Sequence, residues 1–194
     1  FSRTVLETLR QPLEDGHLTI SRGGGRLTFP SRCMLVAAMN PCPCGYLGHP
    51  TRRCTDNADA IHRYRGRISG PLLDRIDLHV EVPAQKPELM SRGPEGETTA
   101  QARARAVAAR DRMLARQGRA NAALDTRGLR RHLNAAPEAI TLLDQAVNDL
   151  GFSARAYDRI LKVAKTIADL DARDLVSLDD VSEAIGYRVL DRPS

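Results

Sequence analysis

Six small and apolar residues, Met34-Leu35-Val36-Ala37-Ala38-Met39, follow Cys33 without a break and stop at Asn40-Pro41, where the chain turns through Cys42-Pro43-Cys44-Gly45. An apolar run with no alternation predicts a strand covered on both faces, as in a parallel sheet. Its last residue carries an amide to the carboxyl edge of that sheet, the edge at which open α/β sheets bind ligands. The stretch thus predicts an α/β domain with one polar group, Asn40, at the ligand edge.

The flanking segments read as follows. Val5, Leu9 and Leu13 are four apart, which predicts a helix finishing near Arg10, before Pro12. His17 to Ser21 and Arg26 to Phe29 alternate about Gly23-Gly24-Gly25, a β-hairpin pattern. A helical stretch around Ala58 to Arg67 leads to Leu72-Leu73 and a short strand, Leu78 to Val82. Three prolines and two glycines between Pro83 and Gly96 mark a linker over 83–98, separating an α/β region (1–82) from a helical one (99–194). In the second region an Ala/Arg helix spans Thr99 to Gln117 and a short one Thr126 to Leu133. Pro137 opens a helix that Gly151 stops. Tyr157, Ile160, Leu161, Ala164, Ile167 and Ala168 form a helical stripe, and Ser177 to Asp180 reads as a capping box. The expected fold class is α/β plus all-α.

Trp is absent and aromatics make up 4%, so the core must be built from Leu, Ile, Val and Ala. The net charge of +5 leans towards polyanionic partners, although solvated arginine faces account for it equally well. Four unevenly spaced cysteines without a secretory signal imply a reducing, cytoplasmic setting rather than a disulfide framework. No apolar run approaches the ~18 residues of a membrane span.

Three residues stand where nucleotide chemistry could use them. Asn40 could hold a water in line with a γ-phosphate, or merely end a strand in an Asn-Pro turn. Arg75, in Leu72-Leu73-Asp74-Arg75-Ile76-Asp77-Leu78, is a permanently charged fork between a helix end and a strand; its ordinary alternative is a surface bridge to Asp74 or Asp77. Arg155 lies at the start of the striped helix, opposite its apolar face, with Arg159 one turn on as its competitor.

Taken with Gly70-Pro71 and the Asn-Pro-Cys-Pro-Cys-Gly turn, these segments resemble the magnesium-chelatase-like AAA+ ATPases of the ComM/YifB type over nearly the whole chain. The resemblance implies the C-terminal half of a P-loop domain, with parallel strands and a β-hairpin insert, followed by a helical lid. The family's phosphate-binding loop and Mg-binding acidic strand would then lie before Phe1. It further implies sensor 1 at Asn40, an arginine finger acting in trans at Arg75, sensor 2 at Arg155, and ATP with Mg2+ as cofactors of the parent. A finger in trans implies a ring, hexameric in this family, working on single-stranded or branched DNA in the branch migration of natural transformation. The 194 residues contain no Gly-x-x-x-x-Gly-Lys-(Ser/Thr), so this chain alone is expected not to hydrolyse ATP.

Cys42, Cys44 and Cys54 offer soft ligands for Zn2+, with His49 or Asp56 as a fourth, or else are reduced thiols in a Gly/Pro-rich loop. Cys33 reads as core. Arg22 and Arg26 bracket the hairpin tip and could touch a nucleic-acid backbone or simply guard an exposed edge. Nine arginines against two aspartates between Gln101 and Arg131 put Arg105, Arg112, Arg116 and Arg119 on one helix face, for DNA or for solubility. Two other functions stay open: a magnesium-chelatase ATPase subunit, and a non-catalytic zinc-containing nucleic-acid-binding module.

Overall fold

The computed structural model describes residues 1–84 and 96–188. They divide into two units, residues 1–76 with 81–84 and residues 77–80 with 96–188. Most of the linker read over 83–98 lies outside the described residues.

The first unit opens with two short helices, α1 (Arg3–Glu7) and α2 (Arg10–Asp15), rather than one ending at Arg10. Pro12 sits in the first turn of α2, where its missing N–H costs nothing, and Gly16 at φ 65° ends the helix in the left-handed region. The hairpin follows as β1 (His17–Arg22) and β2 (Gly25–Pro30), antiparallel, with Leu18 opposite Phe29 and Ile20 opposite Leu27. Its two-residue tip, Gly23-Gly24, has φ of 58° and 81°, the positive pair that a type I′ turn requires. Beyond the cysteine loop come α3 (Ala58–Arg65), capped by Asn57, and α4 (Gly70–Leu73), capped by Ser69 with Pro71 in its first turn.

The buried parallel strand expected at Met34 to Met39 is not formed. Residues 31–40 belong to no helix or strand, although the Ser31 N–H donates to the Gly16 carbonyl at 2.8 Å, and Met34 and Val36 are 89% and 82% exposed. A central strand takes its backbone hydrogen bonds from neighbours on both sides. Among the described residues the one sheet is the hairpin, so no ladder exists for it to join. Cys33, expected in the core, is exposed for the same reason. Leu78 to Val82 is likewise not a strand: the His79 N–H donates to the Tyr187 carbonyl at 2.7 Å, docking residues 77–80 on the helical unit.

The second unit is helical throughout: α5 (Thr99–Gln117), a 3-10 turn (Asn121–Ala123), α6 (Thr126–His132), α7 (Pro137–Leu150), α8 (Ala154–Leu170) and α9 (Leu178–Gly186). Thr98 with Gln101 and Ser177 with Asp180 form capping boxes that begin α5 and α9. The α8 stripe delivers Ile160, Leu161, Ala164 and Ala168 to a core shared with Leu129, Leu143, Phe152, Val176 and Val181. Each buried Leu or Ile there contributes about 1.5–3 kcal/mol. A short parallel bridge, Ala135 to Val176, ties the start of α7 to the segment before α9.

Candidate functional site

The tightest constellation of reactive groups lies in the loop after Pro41. Cys42 is fully buried, and the Sγ atoms of Cys42, Cys44 and Cys54 stand 3.4, 3.5 and 3.6 Å apart, a nearly equilateral triangle. Asp56 completes the group, with its Oδ2 3.8 Å from the Cys54 sulfur while accepting from the Cys44 N–H at 2.8 Å. All four ligand atoms fall within 4.8 Å of one another. Gly45 and Gly48, both at positive φ, let so short a loop fold back on itself. His49, the other fourth ligand read from sequence, is engaged elsewhere. Its Nδ1 accepts from the N–H groups of Thr51 and Arg52, and its ring meets Tyr46 edge-on.

The electrostatics of the cluster are uneven. Asp56 pushes the Cys44 thiol up, but the backbone around Tyr46 and Thr55 and the Cys42 thiol hold it down at about 7. The Asp56 backbone lowers Cys54, yet burial and the two neighbouring thiols push it up to about 11. The Cys44 backbone N–H holds the Asp56 carboxyl below the usual carboxylate range. Three sulfurs and a carboxylate oxygen this close together are compatible with a metal ion.

The residues read as nucleotide-facing are dispersed. Asn40 is exposed at the end of the apolar run, its amide beside Gly45, where an added Cβ would lie 3.7 Å from Nδ2. Arg75 is turned inward, its side chain 7% exposed. Its Nη1 donates to the Pro71 carbonyl at 2.6 Å and its Nη2 pairs with Glu14. Neither acid suggested by sequence, Asp74 or Asp77, is that partner; Asp77 instead pairs with Arg159. Arg155 is exposed one residue into α8, whose Ser153 cap accepts from the Ala156 N–H. Arg22 faces Gly25 and Arg26 faces Ser21, which puts the two arginines on opposite faces of the ribbon.

The arginine stripe of α5 is not one free surface. Arg116 grips both carboxylate oxygens of the buried Asp169 at 2.6 and 2.8 Å, and Arg112 donates to the Asp169 carbonyl. Asn121, fully buried, donates to the same carboxylate and to Thr166. Arg105 pairs with Glu97, and Arg119 falls beyond the helix end. Sequence reasoning missed Glu14 and Asp169. Glu14 is 61 positions from its partner, and nothing local marks it. Asp169 lies beside Ala168 on the apolar stripe of α8, a break in that stripe that was visible.

No described helix is long and apolar enough to cross a membrane. The family model for magnesium chelatase, subunit ChlI, matches residues 1–90, and that for the C-terminal part of the same subunit matches residues 96–188. YifB of Escherichia coli K12 is 41% identical over 193 residues, and the competence protein ComM of Haemophilus influenzae is 43% identical over 194. YifB of Salmonella typhimurium is 39% identical over 193. In each case the match covers 99% of this chain and 38% of the relative, so the chain spans about two fifths of those proteins' length. With both of its units matched in order by the two parts of one subunit, the chain belongs to the magnesium-chelatase-like family.

Proposed function

We propose that this chain is the C-terminal portion of the ATPase module of a ring-forming motor that moves on DNA, with ATP and Mg2+ bound partly by residues outside these 194. The observation that carries the reading is the pair of family matches over both units, 1–90 and 96–188. The competence role in the Haemophilus relative's name points the motor towards DNA. Asn40, exposed at the end of the apolar run, senses the γ-phosphate or its attacking water. Arg75 completes a neighbouring protomer's site by exchanging Glu14 for phosphoryl oxygens; both are oxyanions that fit its planar fork. Arg155 reaches the nucleotide from the lid. Arg22 and Arg26 flank a glycine tip and take one phosphate strand on each face of the ribbon.

The test uses a chain extended to the full length of its relatives, assayed for ATP turnover with and without branched DNA. Arg75→Ala should lower kcat by about 10³-fold, the scale of an arginine finger. Mixing Arg75→Ala with Asn40→Ala protomers should restore part of the activity, because one intact site then forms between two defective chains. Failure of the full-length wild type to turn over ATP with any DNA would overturn the reading.

A structural zinc ion at the cysteine loop is the second part of the proposal. Zn–S bonds of about 2.3 Å in a tetrahedron set sulfurs about 3.8 Å apart. The triangle measured here, 3.4–3.6 Å, needs only a slight expansion. Three thiolates and one carboxylate suit Zn2+ better than Mg2+ or Ca2+. Cys42, Cys44, Cys54 and Asp56 would hold the ion, which supplies a cross-link in a loop with little apolar core. Native mass spectrometry should find one zinc per chain, lost in Cys54→Ser; a metal-free wild type purified with zinc in the medium would refute it.

A further inference from the structure

The cysteine loop carries charge that neither the thiol cluster nor the nucleotide reading uses. Between His49 and Arg67 there are five arginines, Arg52, Arg53, Arg63, Arg65 and Arg67, against two aspartates, Asp56 and Asp59. All five arginines are exposed, and none forms an ion pair among the described residues. Three of them adjoin or reach the segments that carry the thiol triangle. Arg53 precedes Cys54 in the chain. Arg52 donates to the Tyr46 hydroxyl at 2.7 Å and lies over its ring, 5.2 Å from the centroid, two residues past Cys44. Arg65 reaches from the end of α3 to the Pro41 carbonyl at 3.2 Å, next to Cys42.

We infer that this loop is a second nucleic-acid contact, in which Arg52, Arg53 and Arg65 grip consecutive phosphates of a DNA backbone. The inference deepens the DNA reading above and rests on it. Guanidinium forks bind phosphate oxygens in pairs, and cations held unpaired at a surface release condensed counterions when they meet a polyanion. The packed thiols and the Cys44 N–H to Asp56 hydrogen bond hold these segments relative to one another, so little ordering remains to oppose binding. Tyr46 and His49 add aromatic surface beside the charges, as single-strand platforms do. An anionic membrane fits less well, because no large apolar side chain between residues 40 and 77 is exposed to anchor it.

The experiment uses the 194-residue chain loaded with zinc and a labelled 30-nucleotide single strand, followed by fluorescence anisotropy from 50 to 200 mM salt. Arg52→Gln/Arg53→Gln should weaken binding at least tenfold at 50 mM salt and lower the salt slope by about 1–2, since each lost phosphate contact removes about 0.7. Arg52→Lys/Arg53→Lys, which keeps the charge, should recover most of the affinity and the slope. Zinc content by native mass spectrometry should be the same in all three. Wild-type affinity and slope in the glutamine variant, with binding lost instead in Arg22→Gln/Arg26→Gln, would overturn the inference and leave the DNA reading standing. No binding by the wild type would sink both. Zinc lost from the glutamine variant with DNA affinity unchanged would show that the arginines neutralise the metal centre, and would overturn it too. Binding to phosphatidylglycerol vesicles, but not to the oligonucleotide, would replace DNA with a membrane.

Discussion

The two units of this molecule treat similar apolar sequences in opposite ways. Met34 to Met39 is as hydrophobic as any stretch of α8, yet it lies largely in solvent, while the α8 stripe is buried among α5, α6 and α9. The reason is where each element finds its hydrogen bonds. A helix closes its own N–H to C=O ladder and needs only an apolar partner for one face, which the neighbouring helices supply. A parallel strand has no internal ladder and stays unsatisfied until other strands arrive from distant sequence. The helical unit is therefore self-sufficient within this chain. The first unit is held by caps, a glycine turn and a thiol cluster, with Cys42 and Leu72 its only buried apolar residues among those described.

That contrast can be broken by mutation. The largest effect is expected at Asp169→Ala, which strands the Arg116 guanidinium and the buried Asn121 amide without their acceptor. Removing one partner of a buried pair costs about 3–5 kcal/mol, so denaturant titration of the helical unit should show most of its stability gone. Next comes Leu143→Ala, a fully buried side chain in α7, at about 2–4 kcal/mol. Its counterpart Val36→Ala, at 82% exposure, should stay within about 0.5 kcal/mol. Equal losses from the two truncations would mean that the apolar run is covered in solution.

Much of this division was legible in the residues. The period of Ile160, Leu161, Ala164 and Ala168, the stop at Gly151 and the capping box at Ser177 are local signals, and local signals suffice for helices. The hairpin announced itself through alternation about adjacent glycines. Cysteine spacing singled out the thiol cluster, and Asp56 was one of two fourth ligands it allowed. Pairing at a distance was not legible. The strand at Met34 failed because its ladder depends on partners that no local pattern specifies. For the ordinary alternative at Arg75 the sequence offered only the neighbouring acids Asp74 and Asp77, because Glu14 lies far away in sequence, and Arg112 and Arg116 left the expected stripe for Asp169.

Acid should separate the two regions more gently. In the helical unit, burial pushes the Asp180 carboxyl up, but hydrogen bonds from Arg173 and Ser177 outweigh it and hold the group below its ordinary 3.8. Asn134 and Lys165 do the same for Asp174. A depressed carboxyl contributes stability that is present above its unfolded value and lost as pH falls through the folded one. Thermal melts should therefore be flat from pH 8 to 5 and decline only below about pH 4. If the proposed zinc is bound at the cysteine loop, it competes with protons for thiolates, so its release, followed with a chromogenic chelator, should come at a higher pH. Coincident transitions would show that the loop and the helices are not independent.

The smallest effect is the most discriminating, because one chemical change can be made in both regions at the same backbone cost. Gly24 ends the hairpin turn at φ 81° and Gly151 ends α7 at φ 67°, and a Cβ at either would meet nothing within 4 Å. Alanine at each position therefore pays only for the left-handed backbone, about 1 kcal/mol. At Gly151 that cost falls on a cooperatively packed unit and should lower Tm by about 4–8 °C. At Gly24 it falls on a two-stranded ribbon whose own stability is marginal. The Tm of the helical unit should stay unchanged, while amide exchange at Ile20 and Leu27, a hydrogen-bonded pair of the ribbon, should accelerate about fivefold. A Tm drop in Gly24→Ala equal to that in Gly151→Ala would tie the hairpin to the helical core and end the contrast between a self-sufficient unit and a dependent one.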